Sequence, residues 1–353
     1  SWMPPLVHIT QGDIMEIEYT HVTAGNFGDD MNSWFWEKFS PGGWGGNSEH
    51  TLLGIGSLLG LDRDSSRNWH VLGSGAGYQY PTNLSDMGHW NFLAVRGPLT
   101  ALALGLPEER AVTDTAILLS SIPEFQVVPE DERGGIIFIP HHRATEYCDW
   151  GEICEAVGIE YIDPGADSIE VIDSIRRSSL VLSGAMHAAI IADTFRVKWV
   201  PIVTSSSINH FKWMDWTLSM ELPYVPVFVG PGSSEGKIRD LVFRYSWVNE
   251  KIPGDKGAAL RYLKKRCRRN LIRMVWSTSV WRVGSLVESI LKIRPSSKIR
   301  ARIDERAKSS AITGLKKASL SEGFLSKDGV FEDRLYKMKM GLKEILEIKT
   351  GME

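Results

Sequence analysis

Cysteine is scarce in this chain, with three in 353 residues. Cys148, Cys154 and Cys267 are too few and too scattered for a disulfide framework, which points to a reducing cytosol. Cys148 and Cys154 lie six apart with no matching second pair, so no zinc pattern is present. No stretch reaches the roughly 18 consecutive apolar residues of a membrane-spanning helix. The opening Ser1-Trp2-Met3-Pro4-Pro5 lacks the charged and apolar regions of a signal peptide. Several chemical signatures are missing too: no GxxxxGK[ST] phosphate loop, no GxGxxG order and no HExxH. Internal repeats are absent. Cations are sparse early on: up to residue 130 there are Lys38, Arg63, Arg67, Arg96 and Arg110 alone.

What is present suffices for a packed core. The hydrophobic fraction is 43% and the aromatic fraction 10%, which excludes wholesale disorder. The length allows about two domains plus an extension. The formal net charge of -3 hides a division. Residues 255–353 hold 24 Lys+Arg against 11 Asp+Glu, a charge of +13. The first 254 residues hold 16 against 32, a charge of -16. An acidic body with a basic extension is the natural reading, with its boundary near Pro253-Gly254.

Short apolar runs alternate with glycine turns over the first 125 residues. The pattern predicts strands at Ile14–Val22, Thr51–Ile55, Trp69–Leu72 and Phe92–Val95. Helices are expected at Asp29–Phe39 and Pro98–Leu104, the latter with proline in its first turn. A second series predicts strands at Gly135–Pro140, Glu160–Ile162, Leu180–Leu182 and Lys198–Val203. Between them lie helices at Tyr147–Val157, Ser168–Arg177 and His187–Thr194. The expected fold is α/β, with two Rossmann-like lobes at 1–130 and 131–254, and a basic helical extension at 255–353. In that extension Ala258–Ser277 reads as a basic amphipathic helix. Ser285–Ile293 and Asp333–Ile348 read as further helices, and Ser296–Ser326 as a polar, mobile stretch.

Ligands in parallel sheets bind beyond the carboxyl ends of the strands, so residues just after strands carry the functional reading. Asn26, Gly28 and Asp29 stand between a strand and a helix, where glycine lets a backbone approach a ligand. Gly73-Ser74-Gly75 resembles a dinucleotide loop, but Pro81 and Asn83 interrupt any helix after it, so no nicotinamide cofactor is expected. Arg96 sits between a strand end and a helix start, suited to a phosphate or carboxylate. His187 has the same address in the second series, behind Ser183 and Gly184, where a helix N-terminus lowers an imidazole pKa. His141, His142 and Arg143 follow another strand, and Ser205, Ser206 and Lys212 follow a third. Asp114 reads as a cap and Asp193 as a solvated residue. Phe211, Trp213 and Trp216 suit either a core or a stack against sugar rings.

In order along residues 14–230, these pieces resemble the polysaccharide pyruvyl transferase family of exopolysaccharide synthesis. The resemblance is carried by Asn26-Phe27-Gly28-Asp29-Asp30, Gly54-Ile55-Gly56-Ser57, Val71-Leu72-Gly73-Ser74-Gly75 and Val95-Arg96-Gly97-Pro98. It continues through Val112-Thr113-Asp114, Ile139-Pro140-His141-His142, Ser183 to Ala188, and Lys212-Trp213-Met214-Asp215-Trp216. It implies a two-lobed fold like the GT-B glycosyltransferases, phosphoenolpyruvate as donor and a sugar diol as acceptor. Many members have an arginine two residues before the motif histidine. Here that residue is Ala185, so the paired arginine does not carry over, and Arg143 and Lys212 are the candidates to replace its charge.

The resemblance assigns acid/base work to His187 and a grip on the donor's carboxylate or phosphate to Arg96. Donor contacts are expected from Asn26, Gly28, Asp29, Gly73, Ser74, Gly75, His142, Arg143, Ser183, Ser205 and Lys212. No metal or organic cofactor is expected. The acceptor is expected to be a sugar or lipid-linked oligosaccharide, and the basic segment to meet an inner-membrane surface rather than nucleic acid. A GT-B glycosyltransferase using a nucleotide sugar, or a non-catalytic scaffold, would share the fold.

Overall fold

The computed structural model describes residues 6–9, 15–41, 43, 49–60, 63–80, 87–247, 252–267 and 298–350. Continuous apolar runs such as IIFI and LVLS suit strands covered on both faces, and two five-stranded sheets form from them. The first runs in sequence order: β1 (Leu6–Ile9), β2 (Glu16–Thr20), β3 (His50–Leu53), β4 (Asn68–Leu72) and β5 (Trp90–Ala94). β1 is antiparallel to β2; the other pairs are parallel. Short helices α1 (Phe27–Asp30) and α2 (Asn32–Phe35) follow β2, and α3 (Pro98–Leu104) follows β5.

The second sheet draws on β6 (Ile136–Ile139), β7 (Glu160–Tyr161), β8 (Leu180–Ser183), β9 (Lys198–Val203) and β10 (Val227–Phe228). Its order is β10-β9-β8-β6-β7, parallel throughout. Its connections are α4 (His142–Thr145), α5 (Trp150–Val157), α6 (Ser168–Arg177), α7 (Met186–Thr194) and α8 (His210–Ser219). Then come α9 (Ser234–Trp247), α10 (Lys256–Cys267), α11 (Lys298–Ser319) and α12 (Asp328–Thr350). The sequence pattern thus locates most strands within one or two residues, while α8 and α9 lie where it marked no helix.

A single apolar cluster runs from Ile17 and Leu52 of the first sheet to Val181 and Trp199 of the second. Trp213 and Trp216 are buried within it and Phe211 in a neighbouring cluster, so this aromatic group is core and offers no platform for a sugar. A buried ion pair also ties the halves together. Arg96, at the end of β5, donates from Nε to Asp215 Oδ2 on α8 at 3.2 Å, and neither side chain is exposed at all. Its other nitrogens donate to Ser57 Oγ and to the Ala76 carbonyl, each at 2.7 Å. Asp215 accepts two further bonds from Thr100. Gly75 and Gly97 make room: a Cβ on the first would overlap the guanidinium, and on the second the Asp215 backbone.

The basic extension lies on the body. Ala259, Tyr262 and Leu263 of α10 pack with Leu99, Ala103 and Phe211. Residues 298–319, expected to be mobile, form α11, which buries Ala311, Leu315 and Ala318 against Phe138, Trp150 and Leu180. α12 buries Met338, Leu342 and Ile345, each contributing about 1.5–3 kcal/mol. Asp193 is likewise not solvated. It is 1% exposed and accepts from Ser326 N at 2.8 Å, Ser326 Oγ at 2.6 Å and Trp199 Nε1 at 3.3 Å, anchoring the turn before α12. The expected helix at 285–293 lies outside the described residues.

Breaking one side of a buried ion pair strands the other charge. Asp215→Ala should therefore lower unfolding free energy by about 3–5 kcal/mol, read from urea denaturation. A loss under ~1 kcal/mol would show that the pair does not hold the halves together.

Candidate active site

The residues singled out by their position after strands converge where the two sheets meet. The turn after β2 carries Asn26 and Asp29. Thr20 Oγ1 and Asn26 Nδ2 both donate to Asp29 Oδ2, at 2.9 and 2.7 Å, which fixes the carboxyl and leaves Oδ1 turned toward His187. The His187 Nδ1 atom lies 3.9 Å from that oxygen. On the other side of the ring, Nε2 lies 4.0 Å from Asp114 Oδ2. Gly28 permits this approach, because a Cβ there would overlap the imidazole. Asp114 caps the 3-10 turn Thr115–Ser121 through its other oxygen, which accepts from Ala116 N at 3.1 Å. Asp114 Oδ2 and His187 Nε2 are both buried and neither has a hydrogen-bond partner.

Charge and burial set the proton affinities. Burial, then the positive charges of Lys212 and Arg96, push the His187 imidazole down to about 3, so it is neutral at pH 7. Burial pushes the Asp114 carboxyl up to about 6, although Arg96 pulls it back. Asp29 is raised as well, chiefly by burial. The His141 and His142 rings lie tilted to each other with centroids 4.3 Å apart, and burial with the neighbouring Arg143 and Lys212 keeps both well below the usual imidazole range. Lys212 Nζ lies 3.2 Å from Tyr78 Oη and 4.7 Å from the centre of its ring, and its charge holds the phenol below its ordinary value.

Other expected residues are placed differently. Arg96 is sealed off in the pair with Asp215, so it cannot grip a ligand directly. Gly73 N and Gly75 N donate to the Ala94 and Gly56 carbonyls, and Ser74 Oγ to the Gly56 carbonyl. These three donors are therefore committed to contacts within the first half of the chain. Ser183 Oγ is committed likewise, donating to the Ala185 carbonyl at 2.6 Å. Ser205 Oγ pairs with Ser207 Oγ at 2.6 Å and lines a separate cavity with His141 and Arg143. Sequence reasoning missed Asp114 and Tyr78 as site residues. Asp114 carried two visible signals, a cap after Val112-Thr113 and a place in the family resemblance, but neither gave it a role in a site.

Fold and site together define an α/β protein with a buried histidine flanked by two carboxyls at the strand ends of parallel sheets. The chain is 38% identical over 213 residues to the succinoglycan biosynthesis protein ExoV of Rhizobium meliloti (strain 1021). The match takes in 60% of this chain and 67% of that protein. The chain belongs to the family of that exopolysaccharide-synthesis protein. No family model matches it, and no solved structure does. No helix among the described residues is long and apolar enough to cross a membrane.

The two displaced pKa values act on stability with opposite signs. Asp114, raised from 3.8 to about 6, contributes stability that is complete below 3.8 and lost as pH rises through 6. His187, lowered from 6.5 to about 3, contributes stability that is complete above 6.5 and lost as pH falls through 3. Asp114→Asn removes the first effect alone. Relative to the unsubstituted protein, this variant should gain up to ~3 kcal/mol between about pH 4 and pH 7, read from urea midpoints. Parallel pH curves for the two proteins would contradict the raised carboxyl.

Proposed function

We propose that the protein moves a pyruvyl group from phosphoenolpyruvate to two hydroxyls of a sugar, forming a ketal in exopolysaccharide synthesis on a two-lobed, GT-B-like fold. The observation that carries this reading is His187 held neutral between Asp29 and Asp114 with Lys212 alongside. The similarity to a succinoglycan biosynthesis protein supports the same pathway.

The reaction needs one proton delivered to the donor's methylene carbon, which makes C2 electrophilic. One sugar hydroxyl adds to C2 and loses its proton; the second displaces phosphate, which leaves with the remaining proton. A neutral imidazole takes a hydroxyl proton, and a carboxyl on each side stabilises the imidazolium that results. Asp114 is positioned to hold a proton near neutral pH. Lys212 takes the place of the family's arginine, since its charge is the largest acting on His187. A bound donor anion offsets the charge of Lys212 and so raises the His187 pKa in part, while burial, the larger cause, continues to favour the neutral ring. Arg143 and His142 stand beside the same anion, and Arg96 acts through Asp215 by positioning α8.

The membrane partner narrows to a charge contact, because α10 spends its apolar face on the body. Arg261, Lys264 and Lys265 remain on its outer side. Each is worth about 1 kcal/mol beside an anionic leaflet. A protein carrying Arg261→Glu and Lys265→Glu should bind phosphatidylglycerol vesicles at least ~30-fold more weakly at low salt, read by sedimentation; unchanged sedimentation would remove the membrane from the picture.

Activity is tested by incubating the full chain with phosphoenolpyruvate and a sugar diol and measuring phosphate release and the ketal. His187→Ala should cut turnover at least ~100-fold. Near-normal turnover in that variant would sink the histidine's role. Release of a nucleoside diphosphate from a nucleotide sugar, with no phosphate from phosphoenolpyruvate, would replace the reaction with glycosyl transfer.

A further inference from the structure

A cavity of ≈ 250 Å³ opens at the carboxyl ends of β6 and β9, beside the His187 site and sharing His141 and Arg143 with its surroundings. Thr204, Ser205 and Ser207 come to it from the loop after β9, Tyr147 from the stretch after α4, and Arg239, Asp240 and Phe243 from α9. Of its lining, the chemistry proposed above uses Arg143 alone.

Three observations limit what it can hold. First, its size lies just under the ~300–1,000 Å³ of drug-sized ligand pockets, which suits a single ring better than a nucleotide sugar. Second, its formal charges cancel: Arg143 and Arg239 stand against Glu146 and Asp240. A trianionic donor gains nothing from such a wall, whereas a neutral polyhydroxyl ligand suits it. Third, Thr204 is 1% exposed, and its Oγ1 is buried with no hydrogen-bond partner. A buried hydroxyl left unpaired costs stability until a ligand pairs it. The Ser205 and Ser207 hydroxyls, 2.6 Å apart, add a second polar point. Tyr147 and Phe243 supply ring surface, the first with Arg239 stacked 3.9 Å from its centre.

We infer that this cavity holds one hexose ring of the acceptor, with Thr204 bonded to a ring hydroxyl and Tyr147 and Phe243 against the sugar's C–H face. The identification of this ring as the acceptor rests on the pyruvyl-transfer reading; the binding of a sugar does not. The ring's remaining diol would lie toward His187, the direction in which the cavity shares His141 and Arg143 with the reaction site.

The test separates the two claims. Methyl β-glucopyranoside and methyl β-galactopyranoside are titrated into the full chain without phosphoenolpyruvate, and binding is read by saturation-transfer NMR. At least one should bind. Thr204→Val, which keeps side-chain shape, should weaken it about fivefold or more, the weight of one neutral hydrogen bond. Phe243→Ala should weaken it further, with the thermal midpoint recorded for each variant to confirm folding. In the phosphate-release assay both variants should raise the KM for the glycoside and leave the KM for phosphoenolpyruvate within about twofold. Binding lost in Thr204→Val without any phosphate release in the unsubstituted protein leaves the sugar pocket standing and sinks pyruvyl transfer. Failure of both glycosides to bind, binding indifferent to both substitutions, or a rise confined to the KM for phosphoenolpyruvate would each overturn the sugar pocket.

Discussion

The ion pair between Arg96 and Asp215 is the constraint on which the site depends. Two charges taken fully out of water are tolerable only when every donor and acceptor around them is matched. Ser57, Ala76 and Thr100 do the matching here, and the result is a rigid link from the first sheet to α8. Lys212 lies three residues before Asp215, less than one helical turn away. Fixing Asp215 therefore fixes where Lys212 can reach. Lys212 in turn is the leading charge acting on His187, and it also acts on Asp29, Asp114 and Tyr78. A structural pair thus helps to set the electrostatics of a buried histidine it never touches.

Scarcity of early cations makes this arrangement intelligible. Arg63 and Arg67 neutralise Glu18 and Glu16, buried on β2. Lys38 pairs with Glu124, Arg110 donates to the Leu93 carbonyl, and Arg96 is held by Asp215. All five are engaged within the fold. Positive charge for an anionic ligand must come from the second sheet, where Arg143 and Lys212 follow β6 and β9. The first sheet contributes carboxyls instead, Asp29 and Asp114, and the histidine comes from the second. Neither half holds the whole cluster, so the arrangement of Asp29, Asp114 and His187 exists only when both are packed together.

The strands and the convergence of their ends were legible in the sequence, because parallel sheets write themselves as apolar runs closed by small residues. His187, Asp29 and Lys212 were recognisable for the same reason. What was not legible was which polar atoms would be spent internally. Gly73, Ser74 and Gly75 have the look of a ligand loop, yet these donors are committed within the first half of the chain. Arg96 looks like an anion clamp by position and is a strut by partnership. Such outcomes depend on contacts more than a hundred residues away in sequence, as with Arg96 and Asp215, and local pattern carries no trace of them. Asp114 shows the converse: a residue whose local role as a cap was readable, and whose free oxygen acquires meaning only from a histidine 73 positions later.

The contrast between an acidic body and a basic extension survives as electrostatics without being a division in packing. Among the described residues, α10, α11 and α12 each commit an apolar face to one of the two sheets or its helices. Amphipathicity in a basic helix is therefore poor evidence for membrane insertion on its own, since the apolar stripe that would enter lipid is the same stripe that seals a core. Only one use is open to a given face. Here the core has taken it, which leaves the outward charge as the part of α10 that can act on another surface. That charge is long in range and weak in geometry, so it can draw an oppositely charged surface near without fixing how that surface sits.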